Sequence, residues 1–153
     1  MTVSPSPERS IEQQIQTAFP GLIPDYPSGT ALVQYRIDKL QLPELVRFLH
    51  EKMQGRLALL FAVDCRPLEK KYELHYLFAF KSRQPFVLVT TELIGDDRLF
   101  TSITPSVHAA QWYEREIRDL FGLIPQGHPD LRRLVRHEHW PKGTHPLQKD
   151  FSW

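Results

Sequence analysis

The chain has 153 residues, 41% hydrophobic and 24% charged, with a formal net charge of +1, a composition that fits one soluble globular domain with a single core. No apolar run approaches the roughly 18 residues that a membrane span requires, so direct membrane insertion is not expected. The near-neutral balance gives no global pull toward nucleic acid or anionic lipid, and the single cysteine, Cys65, excludes an intrachain disulfide, a cysteine-ligated iron–sulfur cluster and a multi-cysteine zinc site. Cys65 itself is expected as a small core residue.

Residues 1–10, with Pro5 and Pro7 among polar neighbours, lack the basic start and apolar stretch of a secretory signal and are expected to be flexible. From Glu8 to Phe19, Ile11, Ile15, Ala18 and Phe19 recur at helical spacing and predict an amphipathic helix, broken by Pro20, Gly21, Pro24 and Pro27. Thr30 to Ile37 alternates as a half-covered strand does. A second helix is expected from about Gln41, with Pro43 in its first turn, Leu45, Val46, Leu49 and Met53 as its apolar stripe, and Gly55 as its end. Strand-like runs follow at Leu57–Cys65, Tyr72–Phe80 and Phe86–Leu93, with turns around Arg66-Pro67 and Ser82–Pro85, and suggest a meander. In the middle run Tyr72, Leu74, Tyr76, Phe78 and Phe80 share one face, and Glu73, His75 and Leu77 the other. His75 therefore reads as a surface strand residue rather than a ligand.

A third helix is expected from Pro105-Ser106 to Phe121, striped by Val107, Ala110, Tyr113, Ile117 and Leu120 or Phe121, with Gly122 as its stop. Glu114 with Arg118, and Arg115 with Asp119, stand four apart, the spacing of helical ion pairs. The order helix, strand, helix, strands, helix defines an α+β fold: two layers, a mainly antiparallel sheet covered by helices. The domain is expected over residues 11–122. Residues 123–153, interrupted by prolines and glycines yet carrying Leu131, Leu134, Val135 and Trp140, read as an irregular docking tail. An alternative left open is that the tail folds back onto the sheet of its own subunit.

The usual signatures of chemistry are missing. There is no G-x-G-x-x-G between a strand and a helix, no P-loop and no G-x-S-x-G. Glu114 and Glu116 point about 200 degrees apart on a helix and so do not form an acid/base pair. Salt bridging is their plain reading; the sharper one is that Glu116 or Asp119 orients Arg132 or Arg133. His128, His137, His139 and His145 leave open a metal-dependent hydrolase built on the tail, although their spacing matches no zinc pattern. His128, between Gly127 and Pro129, reads better as a hydrogen-bonded turn. Arg132, Arg133 and Arg136 form a basic cluster without an aromatic platform, which suits carboxylates on a partner rather than nucleic acid.

The run Glu114-Arg115-Glu116-Ile117-Arg118-Asp119-Leu120-Phe121-Gly122, followed by Gly127-His128-Pro129-Asp130-Leu131-Arg132-Arg133-Leu134, resembles the signature of the 30 kDa subunit family of respiratory NADH dehydrogenase, in which E-R-E-x-x-D leads into G-H-P-x-x-R-R. The ending, Trp140, Gly143 and Pro146-Leu147-Gln148-Lys149-Asp150-Phe151, is similar to the family's W…G…PLRKD close, with Gln148 where arginine is usual. The stretch from Trp140 to Pro146 is longer than in the common quinone-reductase form and resembles the related subunit of membrane-bound nickel–iron hydrogenases and formate hydrogenlyases. The resemblance implies a non-catalytic α+β subunit without cofactors. Its implied partners are the large subunit, of the 49 kDa type or the nickel–iron hydrogenase type, and adjacent peripheral-arm subunits. It implies a peripheral place at the cytoplasmic face of a membrane; the tail's own large apolar groups, Trp140, Leu147 and Phe151, are expected as its anchors. Whether the parent complex reduces quinone or evolves hydrogen stays open.

Overall fold

Ser10 starts the first helix through a reciprocal capping box: its hydroxyl accepts the Gln13 N–H at 3.2 Å, and the Gln13 side chain accepts the Ser10 N–H at 3.1 Å. The computed structural model describes residues 10–25, 31–81 and 85–152; the sequence expectations for residues 1–9, and for Pro27, Thr30 and Ser82, lie outside them. Helix α1 (Ile11–Ala18) buries Ile11 and Ile15, and strand β1 (Leu32–Arg36) follows. Helix α2 (Leu42–Arg47) has Pro43 in its first turn and continues as a wider π-type turn, Phe48–Lys52.

The second helix does not run to Gly55. Gln54 supplies the left-handed residue, φ 57°, and Gly55 meets a different demand: a Cβ there would lie 2.7 Å from the Phe80 ring and 2.8 Å from the Leu49 carbonyl oxygen. Its N–H donates to that same carbonyl at 2.8 Å.

Strands β2 (Arg56–Asp64), β3 (Lys71–Ala79) and β4 (Phe86–Ile94) form the expected antiparallel meander, and β1 adds in parallel beside β4, giving the order β1-β4-β3-β2. A short helix, α3 (Arg66–Glu69), replaces the turn expected after β2 and ends at Lys70, φ 51°. Cys65 caps this helix and is only half-buried, so it is not the core residue expected from its type. The buried residue at the end of β2 is Asp64.

Tyr72, Leu74, Tyr76 and Phe78 of β3 are wholly buried, flanked in register by Leu57, Leu60 and Ala62 of β2 and Val87, Val89 and Leu93 of β4. This face joins Ile11, Ile15, Leu42, Leu45, Leu49, Ala110 and Ile117 of the helices in one core. The helices thus cover one face. The other carries half-exposed Leu59 and Phe61, and a charged patch in which Arg36 and Lys71 neutralise the facing carboxylates Glu73 and Glu92. His75 is half-buried there, stacked on Phe61 at 4.7 Å and 3.0 Å from the Thr90 hydroxyl.

Helix α4 (Ala110–Phe121) begins later than expected, since residues 103–109 form turns, and it lies against β2, where the Tyr113 hydroxyl donates to the Ala58 carbonyl at 3.3 Å. It bridges β5 (Leu99–Thr101) and β6 (Ile124–Gln126), a two-stranded parallel pair not foreseen from the sequence. The prolines of the tail hid this strand: Pro125 sits in β6, a two-stranded edge where a missing N–H is tolerated.

Replacing Gly55 by alanine is expected to lower unfolding free energy by about 1 to 3 kcal/mol, the usual size of overpacking against a fixed backbone. Urea unfolding with an unchanged m-value would show it; stability equal to the parent's would contradict the crowding.

Candidate partner-docking site

Two carboxylates of α4 are buried, and neither makes the i,i+4 ion pair that their spacing suggested. Glu114, fully buried, accepts three hydrogen bonds: from the Ser102 hydroxyl at 2.5 Å, the Ile103 N–H at 2.7 Å and the Thr104 hydroxyl at 2.7 Å. It fixes the turn that leads from β5 into α4. Burial pushes its carboxyl up from the ordinary value, and the three donors, with His128 at 3.9 Å, only oppose that. Asp119, also fully buried, faces the tail. It accepts the N–H groups of Val135 at 2.9 Å and Arg136 at 2.7 Å, a longer one from Leu134 at 3.4 Å, and the Arg136 guanidinium at 2.8 Å. Burial alone would raise this carboxyl; the backbone and side-chain bonds from Arg136, the Val135 N–H and the guanidinium charge outweigh it and hold the pKa down.

Asp119 therefore does anchor an arginine of the following segment, but the arginine is Arg136, not Arg132 or Arg133. Arg132 is exposed and pairs with Asp130 at 2.7 Å. Arg133 donates to the carbonyls of His137, Glu138 and Trp140 at 3.2 to 3.4 Å and so staples the tail to itself. Glu116 is exposed. Arg115 and Arg118 turn away from the helix acids: Arg115 donates to the carbonyls of Arg132 and Arg133 at 3.1 and 3.0 Å, and Arg118 to that of Leu131 at 2.6 Å. One helix thus grips the tail with a carboxylate for its N–H groups and two guanidiniums for its C=O groups.

Further along, the Leu147 N–H donates to the Leu120 carbonyl at 3.1 Å, the Gln148 side chain to that of Phe121 at 2.7 Å, and the Lys149 N–H to Asp64 at 2.8 Å. Gln148, where the family usually has arginine, caps the end of α4 as an amide. Arg66 bridges Asp64 at 2.7 Å and Asp150 at 2.6 Å. Burial would raise the Asp64 carboxyl, but Arg66 and the Lys149 N–H bring it down to about 2. The tail accordingly folds back on its own subunit, though mainly against α4, meeting the sheet at Asp64, and not across the sheet as the alternative above had it. At the same time it turns side chains outward: Leu131, Val135 and Leu147 are exposed. Trp140 stacks on Phe151 with ring centres 6.2 Å apart, beside Pro141, Thr144 and Ser152.

Gly122 closes α4 in the left-handed conformation, φ 75°, and the His145 ring lies 2.7 Å from where a Cβ would stand. Only glycine meets both conditions. Gly127, φ 84°, makes the turn before His128. His128 is buried with Nε2 at 3.1 Å from the Gln111 carbonyl, while its Nδ1 accepts the Asp130 N–H at 2.9 Å, so the proton sits on Nε2. His145 contacts the Asp119 carbonyl through Nδ1 at 2.9 Å, and His137 stacks on His139 at 4.8 Å. These histidines serve separate turns, and among the described residues no group of three His, Cys, Asp or Glu is placed to hold a metal.

Sequence reasoning missed Asp64, Arg66 and the role of Glu114, and gave Arg136 to a partner's carboxylates where it pairs with Asp119. Strand parity was the available signal for Asp64, which follows Leu60 and Ala62 on the buried face. Helical spacing was the signal for Glu114, four residues after Ala110 and three before Ile117, both buried.

What the fold and site define is an α+β domain whose C-terminal arm is fastened by two buried carboxylates, Asp119 of its last helix and Asp64 at the end of β2. Residues 35–153 match the family described as the respiratory-chain NADH dehydrogenase 30 kDa subunit, and the chain belongs to that family. It is 40% identical over 154 residues to hydrogenase-4 component G of Escherichia coli, covering 98% of this chain and 28% of that protein. It is 39% identical to formate hydrogenlyase subunit 5 of the same organism, covering 89% and 24%. The chain thus spans about a quarter of these two relatives. With an NADH-quinone oxidoreductase subunit of Rhodopseudomonas palustris it shares 30% identity over 93% of this chain and 70% of that one. Its fold is similar to a chain of an archaeal membrane-bound sulfane sulfur reductase, a respiratory membrane complex, at TM-score 0.79 and 22% identity over 93% and 84% of the chains. It also matches a trypsin-resistant fragment of Nqo5 at TM-score 0.65 and 21% identity, over 78% and 98%. Among the described residues no helix is long and apolar enough to cross a membrane.

Asp119→Ala is expected to cost about 3 to 5 kcal/mol, because it leaves the Arg136 guanidinium without a counter-charge in a buried setting. In double-mutant cycles Asp119 should couple to Arg136 by at least about 0.5 kcal/mol and to Arg133 hardly at all; the reverse ranking would refute the assignment.

The Asp64 and Asp119 carboxyls are lower in the folded state than the ordinary 3.8, so their contribution is present above that value and lost as pH falls through the folded pKa. Amide exchange at Lys149 should therefore accelerate between pH 3.8 and about 2, and that at Arg136 as pH falls below 3.8, each beyond its intrinsic pH dependence. Protection that is flat across this window would show that the carboxylates do not hold the arm.

Proposed function

We propose that the chain is a non-catalytic, cofactor-free docking subunit, or the corresponding domain, of an NADH-quinone oxidoreductase or hydrogenase-type complex. It would seat on the large subunit beside the quinone cavity or nickel–iron centre, next to other peripheral-arm subunits, at the cytoplasmic face of the membrane. The names of its relatives support a place in such an assembly. The observation that carries the reading is that the buried acids of the signature hold loops rather than facing a cleft, while the arm that Asp119 holds presents an apolar exterior in Leu131, Val135 and Leu147.

On this reading the globular part is the scaffold and residues 123–153 are the adhesive. An arm already ordered by its own domain loses little entropy on binding, so a few outward anchors suffice. Chemistry stays with the large subunit, whose position the arm maintains.

Binding of the purified chain to the immobilised large subunit of its parent complex tests this. Leu131→Asp and Leu147→Asp should each weaken it by about 2 kcal/mol, a hot-spot-sized loss, with the melting temperature unchanged. The pure chain should be colourless and show no saturable NADH binding. A stoichiometric flavin or cluster band, or undiminished binding by both variants, would overturn the proposal.

A further inference from the structure

Between the end of α4 and the arm lies a cavity of about 360 Å³ lined by Arg118, Arg133, Arg136, Lys142 and His145, together with Gly122, Gly143 and the apolar Ile124 and Leu131. No carboxylate lines it. Arg136 is neutralised by Asp119 behind the wall at 2.8 Å. Arg118 and Arg133 are not neutralised: their Nη1 atoms donate to backbone carbonyls, which are dipoles and not counter-charges. Lys142 has neither a hydrogen bond nor an ion pair among the described residues. Three cations without a counter-charge among the described residues therefore line one small space.

Such a convergence is unfavourable without an anion, and the arginines are built to receive one. The carbonyl bonds fix each guanidinium through a single nitrogen, so Nε and Nη2 of Arg118 and Arg133 have no hydrogen-bond acceptor among the described residues. That pair of N–H groups is the fork that matches two oxygens of a carboxylate or phosphate, and its orientation is set before any ligand arrives. We propose that this cavity is an oxyanion site, gripping a carboxylate or phosphate between Arg118, Arg133 and Lys142. The oxygens come either from a free anion or from an acidic side chain of a neighbouring subunit inserted at the root of the arm.

Titration of the isotope-labelled chain with inorganic phosphate and, separately, acetate at constant ionic strength tests the site by amide shifts. Saturable shifts at Gly122, Arg136 and Gly143 are expected, together with a rise in melting temperature that follows occupancy. Lys142→Glu should weaken binding about tenfold or more, while Lys52→Glu, an exposed lysine elsewhere that makes the same change in net charge, should leave it intact. Phosphate binding below about a millimolar would identify a free anion as the ligand. Weaker but saturable binding of both anions, with Lys142→Glu reducing capture by the large subunit, would identify a partner's acidic side chain. Absence of saturation for both anions up to roughly 50 mM, beyond the millimolar range of the weakest specific affinities, would overturn the proposal. So would equal losses in the two lysine variants, which is the signature of general screening.

Discussion

A carboxylate with no water around it must be given donors, and in this chain the donors come from backbone that would otherwise have no fixed path. Asp119 collects N–H groups from consecutive residues of the arm and closes the set with the Arg136 guanidinium. The desolvation of such a charge is offset only while its hydrogen bonds are complete. The position of the arm is therefore close to all-or-none: a displaced Arg136 leaves both a buried anion and unmatched N–H groups. This explains how a segment too rich in proline and glycine for regular structure lies in a defined place.

The same device appears three times with different electrostatic outcomes. Asp64 and Asp119 are each approached by an arginine and stay below the usual carboxylate range, whereas Glu114 has only neutral donors beside a distant histidine, and burial prevails. Glu114 fixes the entry to α4, Asp119 the first turns of the arm, and Asp64 its end. The guanidiniums of Arg115 and Arg118 complement them by taking up arm carbonyls. Polar groups thus perform here what apolar packing performs in the sheet, and they leave Leu131, Val135 and Leu147 of the arm free to face outward.

How far the sequence reveals this depends on the range of the interaction. Period-two alternation located β2, β3 and β4, because one face of each is buried and the pattern is local. The helix around Glu114 to Phe121 was legible with its glycine stop for the same reason. Partners far apart in the chain were not legible: Asp64 with Lys149, Arg66 with Asp150, and Asp119 with Arg136 are joined only by the fold. Spacing along α4 suggested pairing with Arg118 and Arg115, since i,i+4 neighbours meet on an exposed helix; burial of Glu114 and Asp119 removed that option. Strand β6 stayed hidden because Pro125 reads as a strand breaker, whereas a two-stranded parallel edge tolerates it.

Strand β1 joins the sheet in parallel beside β4, pairing Leu32 with Phe86 across the whole of the intervening meander. Closing so long a loop costs entropy before any ladder bond repays it, while β2, β3 and β4 pair through short connections. The topology therefore ranks the elements in time: the meander is the natural nucleus, and β1 and the Asp64-bound end of the arm join a surface that must already exist. A chain emerging from the ribosome has the meander complete while the arm is still unmade, so the arm takes its shape on a surface that is already folded.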